Sequence, residues 1–167
     1  MTNNDLLRRL RYALKLDGLT ISEICALAGH DIRPQEVLKL LKKDDEAGFA
    51  ACGDETMGAF LDGLITYRRG RQDHHAGTLQ LTDAPLTNNL ILRKLRIALK
   101  LNDEQMLAIL KLAEVRMSKP ELSAMFRAVE HRNYKPCGDQ FLRSFIRGLT
   151  LGQTAPQPGR GAAGAGS

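Results

Sequence analysis

The sequence predicts an all-α protein built by tandem duplication of a four-helix unit, the two units packed with approximate twofold pseudosymmetry. Three observations lead there. At a shift of 85 residues the chain reads itself back: Thr2-Asn3-Asn4, Leu7-Arg8, Leu10-Arg11 and Ala13 to Leu16 recur as Thr87-Asn88-Asn89, Leu92-Arg93, Leu95-Arg96 and Ala98 to Leu101. Cys52-Gly53-Asp54 recurs as Cys137-Gly138-Asp139, and about a third of the positions from Thr2 to Leu64 are identical without a gap, which marks a repeat. Apolar residues recur at three and four along each unit, whereas β-branched alternation is absent, so helices and no strands are expected.

The first helix is expected from about Asp5 to Leu16, with Asn3 or Asn4 as its N-cap and Asp5 near the positive end of the dipole. Leu6, Leu7, Leu10, Ala13 and Leu14 share one arc, and Arg8, Arg11 and Lys15 lie opposite, with Arg9 on their shoulder. Arg93, Arg96 and Lys100, with Lys94 beside them, copy that cationic stripe. Thr20 or Ser22 can cap a second helix carrying Ile21, Ile24, Leu27 and Ala28, matched by Met106, Ile109, Leu112 and Ala113. Arg33-Pro34 opens a third helix bearing Val37, Leu40 and Leu41; in the second unit Ser118 caps, Pro120 follows, and Leu122, Met125 and Phe126 form the stripe. Asp54 and Asp139 are the expected N-caps of a last helix whose buried face is Met57, Phe60, Leu61, Leu64 and Ile65, or Leu142, Phe145, Ile146 and Leu149.

These elements divide the chain into a first repeat at 1–69, a linker at 70–86, a second repeat at 87–152 and a disordered Gly/Ala/Pro tail at 153–167. Repeats this small bury a modest core and are expected to pack on each other. No apolar stretch reaches the roughly 18 to 20 residues of a membrane span, and three cysteines fit a reducing compartment better than a disulfide scaffold. A cytoplasmic protein without membrane contact is therefore expected. Charge is unevenly spread: residues 1–69 hold 10 Lys/Arg against 11 Asp/Glu, and residues 87–152 hold 12 against 6. An electrostatic partner is accordingly expected on the second repeat.

The strings from Asn88 to Leu101, Lys119-Pro120-Glu121-Leu122, and Cys137-Gly138-Asp139-Gln140-Phe141-Leu142-Arg143 resemble the YehS-like family, small bacterial proteins with two copies of a domain of unknown function. The resemblance covers residues 2 to 151. It implies a bacterial cytoplasmic protein with a duplicated all-α fold, and it carries no activity onto any residue.

Other features have ordinary structural readings beside the functional ones. Helices two and three resemble a helix-turn-helix, but the turn is long, Glu114 stands where the first repeat has Gly29, and Asp44-Asp45-Glu46 would repel phosphate. That acidic run lacks the spacing of a calcium loop. Cys52 and Cys137 have no nearby Cys or duplicated His to make a zinc site or a thiol–base pair, so a buried thiol followed by a glycine turn is the simpler reading. Tyr134 could stack on a base, yet Phe49 at the same place argues for an apolar anchor. Gly63 and Gly148, inside the last helices, imply a close helix contact.

No catalytic motif, metal set or cofactor site emerges. The expected function is that of a non-catalytic bacterial binding or regulatory protein. Its first candidate partner is DNA or RNA, held by the backbone through Arg93, Arg96, Lys100, Arg143 and Arg147. The alternative is a protein-interaction adaptor or a self-associating module. Salt separates the two, because phosphate binding through several cations weakens about a hundredfold or more on a modest salt increase.

Overall fold

The computed structural model describes residues 1–70 and 85–154; most of the expected linker, and the tail beyond Thr154, lie outside the described residues. Eight helices are found among the described residues: α1 (Asn3–Leu14), α2 (Gly18–Leu27), α3 (Pro34–Leu40), α4 (Asp54–Arg69), α5 (Asn88–Ala98), α6 (Asp103–Leu112), α7 (Lys119–Ala124) and α8 (Asp139–Thr154). No strand occurs among the described residues. The duplicated all-helical fold is therefore as the sequence predicts.

Pairing of the long helices crosses between the repeats. The main neighbour of α1 is α8 and that of α5 is α4, with lesser α1–α4 and α5–α8 contacts closing the ring. Exchange of α1 with α5 and α4 with α8 maps the ring onto itself, which is the twofold relation. On the outside α2 packs on α4 and α3 on α2; α6 packs on α8 and α7 on α6. Leu7, Leu10, Phe60, Leu64, Leu92, Leu95, Phe145 and Ile146 belong to one buried cluster drawn from both repeats. Removing each such side chain from water contributes about 1.5 to 3 kcal/mol.

Helix ends differ from the expected caps in an instructive way. Thr2 and Thr87, not the asparagines, cap α1 and α5, accepting from the N–H groups of Asp5 and Leu90. The asparagine pairs are used for bracing instead. Asn3 donates to the Cys52 carbonyl (3.1 Å) and to Asp54 (2.8 Å), and Asn88 repeats this with Cys137 (3.1 Å) and Asp139 (2.7 Å). Asp54 is thus committed to Asn3, and Gly53 occupies the N-cap of α4 without a side-chain bond. Asp17, rather than Thr20 or Ser22, caps α2. Ser118 caps α7 as expected, in a capping box with Glu121.

Helices α1 and α5 also stop sooner than the charge stripe suggests. Lys15 and Lys100 lie just beyond the helix ends with φ of 55° and 53°, and the next residue donates back to Arg11 or Arg96, the hydrogen-bonding pattern of a left-handed C-terminal stop. After α2 and α6 the same region is taken by Gly29 (φ 78°) and, in the second repeat, by Glu114 (φ 63°). A Cβ there costs about 1 to 2 kcal/mol. Glu114→Gly is therefore expected to stabilise the fold by about 1 kcal/mol, seen as a rise of about 2 to 4 °C in the melting temperature.

Candidate functional site

Along α1, Asp5, Arg8, Arg9 and Tyr12 follow each other at helical spacing, and along α8 Gln140, Arg143, Ser144, Arg147 and Thr150 do the same. Because α1 and α8 are neighbours, these two polar rows face one cleft of about 500 Å³. Leucines on the other face of α1 hold it to the core and fix which side looks outward. Four arginines meet a single carboxylate in that lining. Asp5 takes a hydrogen bond from Arg9 Nε at 2.9 Å and lies 3.6 Å from the Arg8 guanidinium. Arg8 also donates to the Lys42 carbonyl at 2.8 Å, beyond the end of α3. Arg143 and Arg147 form no ion pair with the described residues, and Arg147 is exposed.

The pseudosymmetric α4–α5 contact shows what this arrangement replaces. Position 9 becomes Lys94 and position 147 becomes Asp62. Lys94, fully buried, makes a salt bridge to Asp62. Opposite charges meet on that side, whereas on the cleft side the same two places hold Arg9 and Arg147. Asp5 and Arg143 likewise stand where the other contact has Leu90 and Gly58. Excess cation is thus concentrated on one of two related helix contacts, and the field there favours an anion.

The five cations singled out from sequence are not gathered together. Arg143 and Arg147 line the cleft, while Arg93, Arg96 and Lys100 do not. Arg93 donates to the Phe126 carbonyl at 2.5 Å. Arg96 pairs with Asp103 at 2.7 Å, donates to the Leu101 carbonyl, and covers the Phe126 ring at 4.8 Å. Lys100, exposed, follows the helix end and does not extend the α5 stripe. From the first repeat it is Arg8, the counterpart of Arg93, and Arg9, the counterpart of Lys94, that line the cleft with Arg143 and Arg147. Tyr12 was missed for want of a rule that joins residues of different repeats; its signal is an aromatic residue three and four places after Arg9 and Arg8.

Other candidates are accounted for structurally. Cys25, Cys52 and Cys137 are buried and free, and burial pushes their thiols up to about 11, 11 and 12, away from nucleophilic thiolate. No group of three or more His, Cys, Asp or Glu that could hold a metal comes together among the described residues. Tyr134 and Phe49 are both half-buried. The α3 and α7 helices have 7 and 6 residues and bury their apolar faces against α2 and α6. Gly63 and Gly148 do mark close approaches, each within its own repeat: α4 to α2 and α8 to α6.

Fold and cleft together define a class: a tandemly duplicated helical protein whose polar cleft is completed by one helix from each repeat. The chain belongs to the family described as "Protein of unknown function (DUF1456)", which matches residues 3–70 and again residues 88–153. It is 42% identical over 153 residues to the "Uncharacterized protein YehS" of Escherichia coli (strain K12), covering 92% of this chain and 97% of the relative. No solved structure matches the chain. Among the described residues, no helix is long and apolar enough to cross a membrane.

Proposed function

We propose that the protein is a non-catalytic binding module of the bacterial cytoplasm that holds a nucleic-acid backbone in the α1–α8 cleft. The observation that carries this reading is the substitution of charge across the pseudo-dyad: Arg9 and Arg147 occupy the places of the Lys94–Asp62 pair. Cations held near one another on a rigid scaffold repel, and that repulsion is relieved when phosphates enter between them. Arginine suits the task because its planar fork meets phosphate oxygens in pairs.

Restoring the pairing tests it. Arg147→Asp copies Asp62 and sets a second carboxylate opposite Arg9, which Asp5 already pairs, so the fold should keep its melting temperature while the cleft loses one arginine and gains one carboxylate. Binding of a fluorescently labelled oligonucleotide, followed by anisotropy, is expected to weaken about 50-fold at low salt. For the unaltered protein the log–log salt slope should be near −3, which is about 60-fold between 50 and 200 mM salt. Equal affinity of both proteins sinks the proposal.

A protein partner is the second reading, favoured by one observation. Leu19 and Leu38 are 58% and 55% exposed, one on α2 and one on α3, with the Leu38 side chain resting at Gly18, the residue before Leu19. Glu104 and Ser123 replace them in the second repeat. Binding through that patch would respond little to salt.

A further inference from the structure

The cleft is too small for a duplex to enter, and its lining is not purely cationic. We infer that it takes a single unpaired nucleotide, with the phosphate held between Arg9, Arg143 and Arg147 and the base laid against the ring of Tyr12; this deepens, and rests on, the backbone-binding reading above. A volume of about 500 Å³ is that of small-ligand sites, which run from about 300 to 1,000 Å³.

Tyr12 supplies the second half of the argument. It is 67% exposed, the largest side chain of the α1 row, and it lines the cleft one turn beyond Arg8 and Arg9. An aromatic ring left in water beside arginines is the arrangement that stacks unpaired bases. The related position across the pseudo-dyad is Ile97, half-buried, so the exposed ring accompanies the cation-rich cleft, where four arginines meet one carboxylate, and not its neutralised counterpart. Ser144, Thr150 and Gln140 furnish neutral polar groups along the opposite wall. An unpaired nucleotide can come from a single strand or as a free nucleoside monophosphate, and the lining suits the chemistry common to both.

The chain contains no tryptophan, so Tyr12→Trp makes the site its own reporter. Titration of the full-length variant with a short oligothymidylate should quench the indole, whereas a blunt duplex of the same length should bind at least tenfold more weakly. Thymidine monophosphate is the second arm: saturable quenching by it assigns the site to free nucleotides as well, and quenching by the oligomer alone assigns it to strands; both support the inference. Tyr12→Ala, exposed and therefore neutral for folding by circular dichroism, should reduce oligomer affinity about tenfold or more. Equal binding of duplex and single strand, with Tyr12→Ala unchanged but Arg147→Asp defective, overturns the nucleotide inference and leaves the backbone reading standing. If neither nucleic acid binds at low salt, both fall.

Discussion

Gly63→Ala and Gly148→Ala are each expected to lower stability by about 3 kcal/mol or more, a fall of about 10 °C in the melting temperature. An ideal Cβ on Gly63 would stand 1.8 Å from the Ile24 carbonyl oxygen, and one on Gly148 would stand 2.1 Å from that of Ile109. Backbone atoms cannot rotate aside as a lysine end can, so α4 must move off α2, or α8 off α6. Both carbonyls belong to the last turn of their helix, where helical partners run out, and the glycine Cα–H groups provide a close-packed cover. Alanine would gain about 1 kcal/mol of helix propensity, too little to offset the clash. Gly53→Ala and Gly138→Ala are the controls: a Cβ there meets nothing within 4 Å, and changes within about 1 kcal/mol are expected. An unchanged melting temperature for Gly63→Ala would remove the close approach as the reason for the glycine.

The same glycines show what a single sequence discloses. A helix-interior glycine present in both repeats announces a close contact, because its propensity penalty needs a compensating approach; it does not say which helix approaches. Apolar stripes behave alike. Leu6, Leu10 and Leu14 declare that one face of α1 is buried, yet nothing in their spacing selects α8 over α4 as the principal neighbour. Ring closure across the repeats follows from the fit of all four long helices, a property of the assembled core.

That ambiguity is why the candidate site was only half legible. Arg143 and Arg147 stood out through the basic character of the second repeat, and both line the cleft. Charge counted repeat by repeat also pointed to Arg93 and Arg96, which the fold spends on the Phe126 carbonyl and on Asp103. The neutral first repeat supplies Arg8, Arg9 and Tyr12, because net charge does not describe where charges sit. Lys100 left the stripe for a local reason: the chain turns left-handed there to stop α5. What aligned sequence copies do reveal, once the pairing of helices is known, is the exchange of Asp62 for Arg147.

Asn4→Ala is expected to cost about 3 to 4 kcal/mol, a large share of the 5 to 15 kcal/mol that holds a typical domain together. Asn4 is 5% exposed. Its amide donates to the carbonyls of Leu40 (2.9 Å) and Ala50 (2.8 Å), and its oxygen accepts from the Cys52 N–H (2.9 Å). One side chain therefore ties the first turn of α1 to the end of α3 and to the segment entering α4. Asn89 repeats the pattern with Met125, Lys135 and Cys137. Truncation leaves three backbone groups without their partner at a poorly hydrated site, each worth about 1 to 3 kcal/mol, with partial relief from entering water. Asn4→Asp should be at least as damaging, since a carboxylate has no N–H to offer and would face two carbonyls. Asn3→Ala, whose bonds reach only Cys52 and the exposed Asp54 side chain, should cost about 1 kcal/mol. Urea unfolding with an unchanged m-value measures all three. The ranking separates bracing from capping: a cap role would make the two asparagines similar, at about 1 kcal/mol each. A loss below about 1 kcal/mol for Asn4→Ala would show that the duplicated asparagine does not anchor α1, and with it the direction in which Arg8, Arg9 and Tyr12 face the cleft.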